Sequence, residues 1–254
     1  MFMCPKWFEI FNIGSNVNIY SLNLSLSLSL SLNLSLSLSL SLPFSLPRTR
    51  ANLRIGAHNY DILSILIGSL LGDGYAERHG HGTRFCFQQE HLNYRYLLWF
   101  HNYLSELGYS TTTIPIITTR LGSGGKLRYI SRFKTYTFAS FNWIHTAFYK
   151  NGIKVIPNDI SDYLSPLALA VWIMDDGGKI SSGLKIATNS FSKSEVEYLA
   201  TLLRNIYGLK VSVISAGYIN QYNLYFSKST MKILAQIVKP YLHTSMYYKL
   251  NGYI

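Results

Sequence analysis

Two apolar runs, 62–71 and 167–174, carry hydrophobic side chains almost all the way round a helical turn, and each ends in aspartate and glycine. Helices without a polar face belong in an interior. Asn59 or Asp61 can cap the first; Ser165 caps the second, Pro166 fits the first helical position, and Gly177 and Gly178 stop it. Past each run the period drops to two, over 83–89 and 183–188, as on a half-buried antiparallel strand. Helical spacing returns with Leu92, Tyr96, Trp99, Tyr103 and Leu107, and again with Val196, Leu199, Leu203 and Ile206, the latter behind a Ser192–Glu195 capping box. Paired strands are then predicted at 112–120 with 127–138 and at 209–217 with 221–227, followed by closing helices near 139–150 and 229–239. The order reads αββαββα twice, an α+β chain with halves at 52–157 and 158–254. The offset between copies barely drifts, being 103 from Asp73 to Asp176 and 100 from Gly108 to Gly208.

The chemistry lies where the apolar runs stop. An anion in the last turn faces the negative pole of its helix, which costs up to about 1 kcal/mol, so Asp73 and Asp176 call for a compensating cation. Gly68 and Gly72 share a face and let a partner helix approach, which brings the two aspartates together around shared metal. Val171 and Asp175 stand at the matching positions of the second copy and break that symmetry; Asp175 reads as a partner for Lys179 or as a helix-end contact.

Charge narrows the partner. The net charge is +11, and the chain after residue 50 holds 20 basic against 11 acidic residues, which points to a polyanion. No acid occurs between Glu106 and Asp159, whereas Arg120, Lys126, Arg128, Arg132, Lys134, Lys150 and Lys154 all do. Arg128, Ile130, Arg132 and Lys134 share one strand parity, so three cations line one face of a ribbon that can enter a DNA major groove. Cys4 and Cys86 form no framework, and His79 and His81, in His-Gly-His-Gly, lack a third metal ligand. From 21 to 42 the chain is Ser-Leu alternation without charge, so residues 1–51 read as a low-complexity leader. Its serines interrupt it too often for a membrane span, and no membrane partner is expected.

The tandem stretches Leu-Ile-Gly-Ser-Leu-Leu-Gly-Asp-Gly at 66–74 and Leu-Ala-Val-Trp-Ile-Met-Asp-Asp-Gly at 169–177 resemble the LAGLIDADG homing endonucleases in their single-chain, two-motif form. The phrase Trp-Ile-Met-Asp-Asp-Gly-Gly-Lys at 172–179 is similar to the omega-intron branch. The resemblance implies two saddle-shaped antiparallel sheets related by a pseudo-two-fold axis, with the motif helices packed at the interface. It also implies a monomer that cuts a double-stranded DNA site with Mg2+ or Mn2+ and leaves 3′ overhangs. The gene would be intron-encoded and mitochondrial. Some relatives act instead as maturases on their host intron RNA, and a noncatalytic DNA-binding protein can use the same scaffold.

By residue match, metal falls to Asp73 and Asp176 with the carbonyls of Gly72 and Asp175. Lys154 and Lys249 look like the groups that polarise water or steady transition-state charge, and Gln88 resembles a catalytic strand residue that orients solvent or reads a base, with Thr188 in its place in the other half. DNA contacts are expected from Arg84, Arg120, Lys126, Arg128, Arg132 and Lys134 in the first half. In the second they are expected from Lys185, Lys193, Lys210 and Lys228, with Tyr218, Asn220 and Gln221 at a hairpin tip.

Overall fold

The computed structural model describes residues 49–250 and 252–254, so the leader expected over 1–51 lies almost wholly outside the described residues. Helix α1, Tyr60–Leu71, begins where Asn59 Oδ1 accepts the Ile62 amide at 2.8 Å. Strands β1 (Tyr75–His79) and β2 (Gly82–Glu90) follow, then α2 (Tyr94–Glu106), β3 (Ile117–Leu121), β4 (Leu127–Lys134) and α3 (Asn142–Phe148). The short pair β5 (Tyr149–Lys150) and β6 (Ile153–Lys154) leads into α4, Pro166–Asp176, capped by Ser165. The order then repeats through β7 (Gly177–Ile180), β8 (Gly183–Ala187), α5 (Lys193–Tyr207), β9 (Val211–Ser215), β10 (Tyr222–Phe226) and α6 (Met231–Val238).

Both four-stranded sheets are antiparallel and share one topology, β1-β2-β4-β3 and β7-β8-β10-β9. The closing helices are shorter than the expected 139–150 and 229–239, because turns of 3-10 helix, Ala139–Phe141 and Lys228–Thr230, precede them. Among the described residues no helix is long and apolar enough to cross a membrane.

Helices α1 and α4 lie side by side and supply the centre of the core; Ile62, Leu66, Leu70, Leu169, Val171 and Trp172 are all fully buried. The contact runs along both helices in the same direction. It starts at a Ser165 Oγ to Ser64 Oγ hydrogen bond of 2.8 Å and passes the Gly68–Ala168 contact. It ends where a Cβ on Gly72 would stand 2.6 Å from the Asp175 Cβ. Gly68 thus meets Ala168 rather than Val171, and the expected close approach survives by a shift along α4.

Each sheet packs one face on this core through alternate residues: Phe85 and Phe87 on β2, Leu184 and Ile186 on β8, Leu224 and Phe226 on β10. Helix α5 covers the second sheet with Val196, Leu199 and Leu203, behind a capping box in which Ser192 and Glu195 satisfy each other's amides. Glu195 Oε1 also accepts the Ile156 amide at 2.8 Å, tying the linker between the halves to α5.

Candidate active site

The end-to-end contact of α1 and α4 gathers three carboxylates. Gln89 Nε2 donates to Asp73 Oδ2 at 2.7 Å and reaches Asp175 Oδ1 at 3.4 Å, so a single amide nitrogen touches an acid from each half. Asn93 Nδ2 holds Gln89 Oε1 at 2.9 Å and fixes which end of the amide points inward. Tyr96, fully buried on α2, donates its hydroxyl to Asp175 Oδ1 at 2.9 Å. Asp175 Oδ2 is sealed from solvent and takes no hydrogen bond. The Asp176 carboxylate makes no hydrogen bond among the described residues and stays partly open to solvent.

The expected pairing of Asp175 with Lys179 does not occur: Lys179 is exposed on β7, and Asp175 turns inward because Gly72 leaves room for it.

Two lysines take the helix ends. Lys154 Nζ donates to Gly74 O at 2.9 Å and Gly72 O at 3.3 Å; Lys249, 5% exposed, donates to Asp175 O at 2.9 Å and to Met174 O. Each lysine comes from the closing segment of one half and neutralises the C-terminal pole of that half's own helix. The cation demanded by an anion at a helix end is therefore partly supplied by the chain itself. The Gly72 and Asp175 carbonyls, expected as metal ligands, are engaged by these ammonium groups.

The electrostatics follow from crowding in a poorly hydrated place. Burial, then the charges of Asp73 and Asp176, pushes Asp175 well above the ordinary carboxylate range. Burial and Asp73 raise Asp176 to about 7, against the pull of Lys249 and Lys154. Burial lowers Lys154 to about 8, with the three aspartates resisting, and depresses Lys249 for the same reason.

A stability prediction follows for the metal-free protein. With its pKa raised from 3.8 to about 7, Asp176 makes the folded chain hold more protons than the unfolded one between those values. Stability therefore falls as pH rises through that window. In chelator at pH 8, Asp176→Asn should unfold at higher urea than the parent by about 1–2 kcal/mol, discounted for partial exposure, with the two converging near pH 4. An Asn variant no more stable than the parent at pH 8 would contradict it.

The other expected residues divide by strand parity. Gln88 does not face the aspartates; it stands opposite Arg132 on the outer side of β2, while Gln89 takes the inward position. Pairing of Tyr75 with Cys86 and of Gly178 with Lys185 makes Thr188, not Ala187, the counterpart of Gln89. Thr188 Oγ1 is spent on the Tyr222 carbonyl at 2.6 Å, so only the first half offers an amide to its aspartate.

Arg84, Arg120, Arg128, Arg132 and Lys134 do share the outer face of the first sheet, with Lys126 exposed in the turn before β4. Two acids join them: Glu77 pairs with Arg84 and with Lys134 at 2.9 Å, and Glu90 with Arg128 at 3.2 Å. Lys134 and Arg84 hold Glu77 down at about 2 against the opposing effect of burial. Arg120 and Arg132 make no ion pair among the described residues.

In the second half Lys185 stands outward beside Tyr225, and Lys210 continues the parity of Ser212. Lys193 opens α5 and pairs with Glu197 at 3.8 Å, and Lys228 lies in a turn, so neither is on a strand. Tyr218, Asn220 and Gln221 form the exposed β9–β10 turn, with Asn220 in left-handed backbone at φ 57°.

The model of the LAGLIDADG DNA endonuclease family matches residues 63–234, from the first motif helix to the last helix of the repeat. The chain belongs to this family. It is 48% identical over 212 residues to the cytochrome b mRNA maturase bI2 of Saccharomyces cerevisiae, a match covering 80% of this chain and 50% of that protein. The chain thus spans half the length of that relative. It is 40% identical over 155 residues to the intron-encoded endonuclease ai4 of Dictyostelium discoideum, covering 59% of this chain and 98% of the other. Its fold is that of the homing endonuclease I-WcaI bound to its DNA recognition sequence, with a TM-score of 0.70 at 23% identity over 80% of this chain and 93% of that one.

Sequence patterning does not single out Gln89, Asn93, Tyr96 or Glu77 as functional. A polar residue on the inward parity of β2, after Phe85 and Phe87, is the available signal for Gln89.

Proposed function

We propose that this chain is a site-specific DNA endonuclease of the intron-homing kind, acting as a monomer, with Asp73 and Asp176 as the divalent-metal carboxylates. The observation that carries the reading is the junction of two helix ends at which three aspartates meet two depressed lysines. A structural role for the junction gives no reason to assemble so much like charge.

The donor set suits a hard cation. It consists of the Asp73 and Asp176 carboxylates, and the Asp176 carboxylate stays partly open to solvent and takes no hydrogen bond among the described residues. Among the described residues no group of three or more His, Cys, Asp or Glu side chains is placed to hold a metal ion, so the chain offers at most a pair of carboxylates. Water and phosphate would complete the shell, as magnesium prefers. Bound there, Mg2+ or Mn2+ would neutralise the scissile phosphate and lower the pKa of an attacking water.

The chain's own groups prepare the rest. Gln89 orients Asp73, Tyr96 and Gln89 pin Asp175, and Lys154, near 8, holds a proton it can exchange close to neutrality. The outer faces of the two sheets would follow the major groove, with Arg120 and Arg132 free for bases or phosphates. Cleavage across the intervening minor groove would leave 3′ overhangs, and the gene would lie in a mitochondrial intron.

The test is cleavage of the intron-free junction DNA by the full chain in Mg2+ or Mn2+, against a chelator control. Double-strand cuts at the insertion point are expected; bound but intact DNA at every protein concentration would sink the nuclease reading. A second reading is favoured by the similarity to a protein named as an mRNA maturase. In that case the chain promotes splicing of its host intron RNA, which a splicing assay with the same preparation detects.

A further inference from the structure

The His-Gly-His-Gly turn finds a use outside the aspartate site. It forms one wall of a cavity of about 530 Å³, together with Arg50, Asn52, Arg54 and Thr137. No acid lines this cavity among the described residues. Arg54 is only 6% exposed, places its guanidinium carbon over the Tyr136 ring at 4.6 Å from the centroid, and donates Nη1 to the Thr137 carbonyl at 3.3 Å. Its Nε is sealed and has no acceptor, and it makes no ion pair among the described residues. The nearest acid along β1, Glu77, is already taken by Arg84 and Lys134.

A buried guanidinium without a counter-ion is costly; the Tyr136 ring and the Thr137 carbonyl offset part of that cost, and an anion in the cavity would supply the missing charge. Arg50 is exposed at the mouth, and Thr137 Oγ1 lies 3.4 Å from His79 Nδ1. Two arginines, imidazole and hydroxyl groups around an acid-free hollow are the chemistry that recognises a phosphate oxyanion.

Position says which phosphate. His79 has the parity of Tyr75 and Glu77 on β1, so it ends the row on which Arg84, Arg132 and Lys134 stand. Five residues lie between it and Asp73, four of them on β1, so the two are at most about 20 Å apart. We propose that this cavity is a clamp for a backbone phosphodiester of bound duplex, at the outer end of the first sheet and within about six base steps of the cut. The proposal rests on the DNA-binding reading above and adds a phosphate site that lies off the sheet face.

The experiment measures binding of the full chain to a short labelled duplex of arbitrary sequence, in chelator, over a series of salt concentrations. Removing one phosphate-binding cation lowers the slope of log K against log salt by about 0.9. Arg50→Gln and Arg54→Gln should each do so and weaken binding several-fold at low salt, as should the sheet-face control Arg132→Gln. Arg50 is exposed, so its variant keeps the test alive if Arg54→Gln fails to fold.

Full slopes in both cavity variants, with a reduced slope in Arg132→Gln, would overturn the clamp and leave the DNA-binding face standing. A rise in melting temperature with inorganic phosphate that Arg50→Gln abolishes, beside unchanged slopes, would mean a site for free anions and would also overturn the clamp. No duplex binding by the parent chain defeats both readings.

Discussion

Asp73→Asn and Asp176→Asn are each expected to reduce cleavage of the cognate junction by at least about a thousandfold while leaving duplex affinity within a few-fold of the parent. Asparagine keeps the shape and one acceptor oxygen but removes the charge that holds a divalent ion and repels the neighbouring acids. The two losses should differ in kind. Asp73 sits in a fixed hydrogen bond from Gln89, so its amide variant also disturbs Gln89, Asn93 and, through Gln89, Asp175. Asp176 has no such partner among the described residues, and its variant should fold with less repulsion than the parent. A single-turnover assay with both strands end-labelled reads the effect directly. Cleavage within tenfold of the parent in either variant would remove that aspartate from the reaction. In a splicing assay the double variant should be spared if a maturase function is separate, because RNA binding makes no use of the carboxylate charge.

The second large effect concerns stability. Gly68→Ala should destabilise the fold by about 2–3 kcal/mol, although alanine in a helix interior is worth roughly 1 kcal/mol over glycine. The added methyl would lie 2.9 Å from the Ala168 Cα and closer still to its carbonyl oxygen, and those are backbone atoms that cannot rotate away. Helices α1 and α4 would have to separate, loosening the junction that holds the aspartates. Gly178→Ala serves as the comparison, because a Cβ there meets only the Lys185 side chain, at 3.8 Å, and should change little. Urea unfolding monitored by tryptophan fluorescence distinguishes them; a Gly68→Ala midpoint equal to the parent's would mean that the helices do not cross as tightly as described.

Local signals are the legible ones. Ser165 with Pro166, and Ser192 with Glu195, fix helix starts through bonds made within four residues, and both appear where the sequence implies them. Lys154 and Lys249 stand out because the repeat puts them in equivalent places, yet their grip on the helix-end carbonyls depends on how the closing segments return to the core. Strands β1 and β7 have no clear local signature. Tyr-Ala-Glu-Arg-His has a weak alternation, and Gly-Gly-Lys-Ile reads as a helix stop; pairing with β2 and β8 is what makes them strands. With β1 hidden, Glu77 is hidden too, and it tempers the basic face. A constant offset between the halves aligns Gln88 with Thr188 and so favours Gln88, whereas the hydrogen-bonded register aligns Thr188 with Gln89. The Tyr96–Asp175 bond joins residues 79 apart across the two halves, and no periodicity in either segment announces it.

That last bond bears on how such chains can be recombined. Each lysine serves the motif helix of its own half, which by itself would let halves be transplanted freely between family members. Tyr96 and Gln89, however, reach from the first half to an acid of the second. A graft that imports Asp175 opposite a foreign first half strands a sealed carboxyl, and one that imports Tyr96 opposite a small residue leaves its hydroxyl in a void. The inheritable unit at this seam is the trio Gln89, Tyr96 and Asp175, and a chimera has to carry all three or none.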